Sequence, residues 1–246
     1  MIVSHKHKFI FIHTKKTAGT YVSMLLASVC GDADIIAPYN EEDSRILRDI
    51  YGVESRNYKI PATRWRVGDY LGLIRGKGLP IFHHHMASYK LRKYLPKETW
   101  ESYYKFCFER EPMDKALSYI RWRNGGVLFD NIKKYEEFIT DSFLEKLKKG
   151  GRDLYMRDGV VEVDSIFRYE RIDEEIKKIE RILGVSFRDR EFKVKETKKV
   201  SFDMEHIMDN MSRDKIFMIY KKFYWEYENI YHEEKRKIEK HLGRGG

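Results

Sequence analysis

Short unbroken apolar runs alternate along this chain with longer stretches in which apolar residues return every three or four positions. Phe9–Ile12 is a run of four β-formers and predicts a strand covered on both faces. Val22, Leu25, Leu26 and Val29 then place a helix over residues 17–29. The same order returns at residues 104–108, a strand pattern followed by Pro112, which suits the first turn of a helix running to about Arg123. Ile132, Tyr135, Ile139, Phe143 and Leu147 predict one amphipathic helix, and Ile172, Ile176, Ile179 and Leu183 another that stops at Gly184. Residues 161–169 read as a strand between them, and Ile216, Tyr220, Phe223, Tyr227 and Ile230 predict one long C-terminal helix packed through its apolar stripe. Strands alternating with helices predict an α/β layered fold, a central, largely parallel sheet flanked by helices, in a single domain spanning residues 1–246. Residues 31–80 break this rhythm with polar turns, and their basic, glycine-punctuated part from Arg64 to Gly78 predicts a mobile surface region.

Composition narrows the field of functions. Of 246 residues, 42% are apolar and 14% aromatic, enough for a sizeable core and too many for a disordered chain. Lysine and arginine total 48 against 39 acidic residues, so the net charge of +9 favours an anionic ligand without making the surface uniformly cationic. The apolar run at the start is far below the ~18 residues of a membrane span, and no signal peptide precedes it, so no membrane span is expected. Two cysteines, Cys30 and Cys107, argue against a disulfide scaffold and for a reducing cytoplasm.

The segment between the first strand and first helix reads His13-Thr14-Lys15-Lys16-Thr17-Ala18-Gly19-Thr20. Unpaired N–H groups at a helix N-terminus, threonine hydroxyls, a glycine that permits close approach and the Lys16 charge are the parts of a phosphate cradle. Its single glycine follows the lysine, so it is P-loop-like in chemistry but lacks the nucleoside-triphosphatase spacing. The bland alternative is a capped strand-to-helix turn. Phe-Ile-His-x-x-Lys-Thr-Ala-Gly-Thr closely resembles the 5′-phosphosulfate loop of sulfotransferases that use 3′-phosphoadenosine 5′-phosphosulfate (PAPS), especially carbohydrate sulfotransferases related to heparan sulfate 2-O-sulfotransferase. The resemblance implies that Lys16 contacts the bridging oxygen of PAPS and that Thr17, Ala18, Gly19 and Thr20 hold the 5′-phosphate. Thr14 and Lys15 replace the family's usual apolar residue and proline, which leaves the start of the loop less rigid.

A second segment, Arg110-Glu111-Pro112 with Ser118 eight residues after the arginine, is similar to the 3′-phosphate motif of the same family. By chemistry alone Arg110 can grip a phosphate with two prongs or pair with Glu109 or Glu111, and Ser118 can donate a hydroxyl or be an ordinary helix residue. Glu111 stands where a shorter Asp or Asn is usual and implies poorer capping, while Lys115 replaces an arginine. His83, His84 and His85 lie in the His-centred segment that precedes this motif. Three adjacent side chains make no ready metal face, and no metal is expected. A neutral imidazole can take a proton from an attacking hydroxyl. The family register puts His85 at the catalytic base, with His83 and His84 as rivals and possible acceptor-site groups.

A later segment, residues 163–172, resembles the family's strand-to-helix pattern, with Phe167 in place of glycine; Arg168 and Glu170 either organise the cofactor pocket or pair with one another across the turn, the second reading being favoured. Lys198 and Lys199 are placed on a loop able to close over a nucleotide, or on a solvated basic loop. The resemblance hardly touches residues 31–80, which are assigned to a variable acceptor-site region. It implies an O-sulfotransferase that moves a sulfuryl group from PAPS to an acceptor hydroxyl, with a carbohydrate preferred, and releases 3′,5′-adenosine bisphosphate. The competing readings are a P-loop-like nucleotide-dependent phosphotransferase, which requires magnesium and a triphosphate, and a basic nucleic-acid-binding protein. Interleaved acids make a nucleic-acid partner unexpected.

Overall fold

A computed structural model describes residues 1–127, 129, 131–187 and 204–243. Its centre is a five-stranded sheet built from β1 (Ile2–Ser4), β2 (Phe9–Ile12), β3 (Ile35–Ile36), β4 (Tyr104–Glu109) and β7 (Ser165–Arg168), in the order β3-β1-β2-β4-β7. β2 pairs in parallel with β4, and β4 with β7, while β1 is antiparallel to both β2 and β3. Four strands therefore run one way and β1 alone is reversed, which makes the fold mixed α/β with a mostly parallel sheet. β5 (Met156–Arg157) and β6 (Val160–Val161) form a separate hairpin.

The apolar run of β2 is covered on both sides because alternate side chains face opposite layers. Phe9 and Phe11 pack with Val22, Leu25 and Leu26 of α1 (Gly19–Val29), Leu47 of α2 (Glu41–Tyr51) and Ile176 of α9 (Ile172–Leu183). Ile10 and Ile12 point the other way, to Phe82, to Leu91 of α4 (Ser88–Tyr94) and to Trp100 of α5 (Lys97–Ser102). A third cluster joins α6 (Pro112–Arg123), α7 (Ile132–Phe138) and α8 (Asp141–Lys149) to the C-terminal helices α10 (Met204–Asn210), α11 (Arg213–Lys222), α12 (Tyr224–Asn229) and α13 (His232–His241). α3 (Val67–Ile74) stands apart and buries none of its residues.

Several expected boundaries move. The helix expected over residues 132–147 breaks at Ile139, and the Thr140 hydroxyl caps its second half by accepting from the Phe143 N–H at 3.2 Å. The long C-terminal helix expected through Ile216–Ile230 is two helices, α11 and α12, yet Ile216, Tyr220, Phe223 and Tyr227 stay buried across the break, which is why one periodicity runs through it. Only residues 165–168 of the strand expected over 161–169 enter the sheet. β1 and β3, three and two residues long, carry too little pattern to be read from sequence. Within residues 31–80 the chain forms β3, α2, a 3-10 turn at Ala62–Arg64 and α3. Among the described residues, no helix is long and apolar enough to cross a membrane.

Candidate active site

The loop from His13 to Ala18 leaves the C-terminal end of β2 and is bound to its neighbours at several points. The Lys15 N–H donates to the Gly150 carbonyl at 2.7 Å, which ties the loop to the end of α8. The buried Thr14 hydroxyl donates to the Phe108 carbonyl of β4, and the Thr17 hydroxyl bonds to the Thr14 carbonyl at 3.2 Å. Thr17 thus turns its hydroxyl inward and leaves only its main chain for a ligand. Lys16 and Ala18 adopt left-handed backbone, with φ of 65° and 53°. Such geometry is costly for residues with a Cβ and is held here by the surrounding bonds. No side chain caps α1 and no acidic residue lies in its first turn, so the N–H groups around Gly19 and Thr20 face outward with the positive end of the helix dipole behind them.

Gly19 is needed for a different reason than turn geometry. An added Cβ would meet Nε2 of His13 at 1.8 Å. That buried imidazole is the centre of a histidine cluster, its ring centroid 4.1 Å from that of His84 and 4.7 Å from that of His85. His85 Nδ1 lies 2.7 Å from the His13 carbonyl oxygen. A carbonyl only accepts, so Nδ1 carries the proton and the neutral ring keeps its lone pair on Nε2. Burial holds His85 down at about 4, opposed by that hydrogen bond and assisted by the Lys15 charge. Burial also lowers His13 and His84, with coulombic repulsion between the two rings adding to it for His13. His84 is packed against Tyr39 at 4.5 Å between ring centroids, with its Nε2 buried and unpartnered among the described residues, whereas His83 is exposed. Among the described residues, no group of three or more His, Cys, Asp or Glu side chains is placed to hold a metal ion.

On the other flank of the loop lies a cluster of cations. Lys16 Nζ sits 5.5 Å over the Trp122 ring and makes no ion pair among the described residues. Its ammonium is pushed down to about 8, first by desolvation and then by Arg110 and Arg121. A half-buried cation short of counter-charge gains stability from an incoming anion. Arg110 and Ser118 meet as their spacing implies, Nη1 donating to Oγ at 3.0 Å, and the same nitrogen reaches the Lys16 carbonyl at 3.3 Å. The guanidinium lies 4.2 Å from the Tyr169 ring centroid. Its partner is neither Glu109 nor Glu111 but Asp114, held by two prongs at 2.7 and 2.9 Å. The Ser118 hydroxyl accepts from Arg110 and keeps its own proton to donate.

The neighbouring acids are structural. Glu111 caps α6 well, accepting from the Asp114 N–H at 2.7 Å, against the poorer capping expected of its length. Glu109 forms a buried ion pair with Lys115. Arg168 reaches Glu170 at 3.6 Å and Glu234 at 2.5 Å, and Glu170 accepts from the Glu111 N–H, so this pair braces the sheet end. Lys198 and Lys199 lie outside the described residues. Sequence reasoning missed His13 and Asp114. The first hides at a strand end; the second sits in the first turn of α6, four residues past an arginine that precedes the helix.

No family model matches the chain. Over 102 residues, 41% of this chain and 83% of its relative, it is 28% identical to an uncharacterized protein of Archaeoglobus fulgidus.

Proposed function

We propose that this protein is a PAPS-dependent O-sulfotransferase with a P-loop-like nucleotide site, acting on a hydroxyl acceptor, with a carbohydrate preferred. The observation that carries the reading is the arrangement around one loop. Lys16, a desolvated cation without a carboxylate partner among the described residues, stands at the uncapped start of α1, with Arg110 and Ser118 on one flank and a tautomer-fixed His85 on the other. The donor set fits a nucleotide with two anionic ends. The main chain of Thr17, Ala18, Gly19 and Thr20 with Lys16 would hold the 5′-phosphosulfate, and Arg110 Nη1 with the Ser118 hydroxyl the 3′-phosphate.

In this reading the acceptor hydroxyl gives its proton to His85 Nε2 as its oxygen forms a bond to sulfur. The bond between sulfur and the bridging phosphate oxygen breaks in line, and Lys16 stabilises the charge left on that oxygen. The products are the sulfate ester and 3′,5′-adenosine bisphosphate. His85 suits this role better than His84, whose Nε2 is enclosed, or His83, which no carbonyl orients through its ring.

Calorimetry with 3′,5′-adenosine bisphosphate, 5′-AMP and magnesium ATP tests the nucleotide without knowledge of the acceptor. Selective binding of the bisphosphate is expected. Arg110→Ala should weaken it about tenfold or more, the worth of a charge-assisted hydrogen bond, and Asp114→Asn, which releases the guanidinium, should tighten it. Lys16→Ala and His85→Ala should abolish transfer with folding intact. A folded protein that ignores the bisphosphate or prefers magnesium ATP would refute the assignment.

A further inference from the structure

Away from this loop, the least ordinary surface is the stretch from Arg64 to Leu79. Val67, Tyr70, Leu71 and Ile74 fall on one face of α3, and Val67 and Ile74 at its centre are 78% and 82% exposed. The opposite face carries Gly68, Asp69 and Gly72. Asp69 is turned toward the body of the protein, accepting from the Tyr94 hydroxyl at 2.8 Å and the Arg66 N–H at 2.7 Å. The helix is thus amphipathic in the inverted sense, polar side inward and apolar side to solvent. Exposed Leu79 extends the patch past its end.

Cations flank that apolar face at both ends. Arg64 and Arg66 precede α3 and lean on the end of α4, donating to the carbonyls of Tyr94 at 3.3 Å and Lys93 at 2.8 Å. Arg75 and Lys77 follow α3 and are exposed. None of the four makes an ion pair among the described residues, and Asp69 is the one acid in residues 55–80. Trp65, its ring 5.1 Å from Tyr70 and its indole N–H bonded to the Ile60 carbonyl, adds an amphipathic aromatic at the border.

We propose that residues 64–79 are an interfacial anchor that docks this protein on an anionic bilayer, with α3 in the membrane plane. Val67, Leu71 and Ile74 enter the boundary between headgroups and acyl chains, while the flanking arginines and lysine meet lipid phosphates. Charge complementarity selects this occupant. A second copy of the chain docked face to face would bring like-charged rims together, and an apolar protein groove would offer no counter-charge to the four cations.

The test is co-sedimentation of the full chain with phosphatidylcholine vesicles, with and without phosphatidylglycerol. Binding is expected only with the anionic lipid, and falls as salt rises. The pair V67S/I74S, at positions too exposed to disturb folding, should weaken it about tenfold or more. R75Q/K77Q should weaken it with the apolar face intact. No binding to anionic vesicles, equal binding to phosphatidylcholine alone, or a concentration-dependent dimer abolished by V67S/I74S would each overturn the proposal.

Discussion

Replacing Gly19 by alanine isolates the packing at the heart of the candidate site. The new methyl would lie 1.8 Å from Nε2 and 2.0 Å from Cδ2 of His13. Ordinary heavy-atom contacts stand at roughly 3.5–4 Å, so the ring must retreat by about 1.5–2 Å. It has nowhere empty to go, with His84 and His85 on one side and the Phe11 ring 5.9 Å away. Overpacking of this kind costs about 1–3 kcal/mol. The glycine's own φ is not in the left-handed region, so backbone strain adds nothing, and the helix preference of alanine offsets at most about 1 kcal/mol. Urea unfolding of Gly19→Ala, His13→Ala and the double variant measures the coupling. The alanine should be destabilising in the parent and close to neutral once the imidazole is gone. An equal cost in both backgrounds, or none in the parent, would refute the argument.

Two further outcomes follow from the same region. His13, His84 and His85 are held neutral by burial, so their ring resonances should not titrate between about pH 7 and 5 in NMR spectra. Because the unfolded chain takes up these protons below its ordinary imidazole range, each histidine removes up to about 1.4 kcal/mol of stability per pH unit as acid is added. Glu111 and Glu226, pushed up to about 7 by burial, act with the opposite sign from about pH 7 down to 4.5. The histidine part is therefore read as the difference between the parent and His84→Asn/His85→Asn, and parallel curves would sink it. Thr14→Val removes the hydroxyl that bonds the Phe108 carbonyl and should lower stability by about 1–3 kcal/mol, measured by the shift in urea midpoint at constant slope; an unchanged midpoint would deny that link its role.

What was legible from sequence is what short-range pattern controls. The run at β2, the helix stop at Gly184, where φ is 63°, and Pro112 in the first turn of α6 are local decisions, and each stands where the periodicity puts it. The breaks at Ile139 and in the C-terminal helices were illegible because the apolar face continues through them. In the site, the Arg110–Ser118 approach keeps the eight-residue spacing seen in the sequence, but it depends on Arg110, in the loop before α6, folding back onto the helix. The His13 cluster was not legible, since it joins residues 72 positions apart through the His13 carbonyl. The clamp of Asp114 on Arg110 changes the chemistry, because an anion at that arginine competes with a carboxylate already in place.

The single reversed strand gives this sheet an order of assembly. β1 and β2 pair through a tight hairpin as soon as both exist, with Ile2 opposite Phe11. The other edge of β2 waits for β4, whose Phe106 and Cys107 lie opposite Phe11 and Ile12. At ordinary rates of synthesis that interval lasts about 5–20 s. Throughout it, a wholly apolar strand offers an unpaired row of N–H and C=O groups to any other nascent chain. The loop that carries the candidate chemistry is therefore unfinished until the strand edge is sealed, and the most vulnerable moment in the life of the molecule is set by the distance in sequence between β2 and β4.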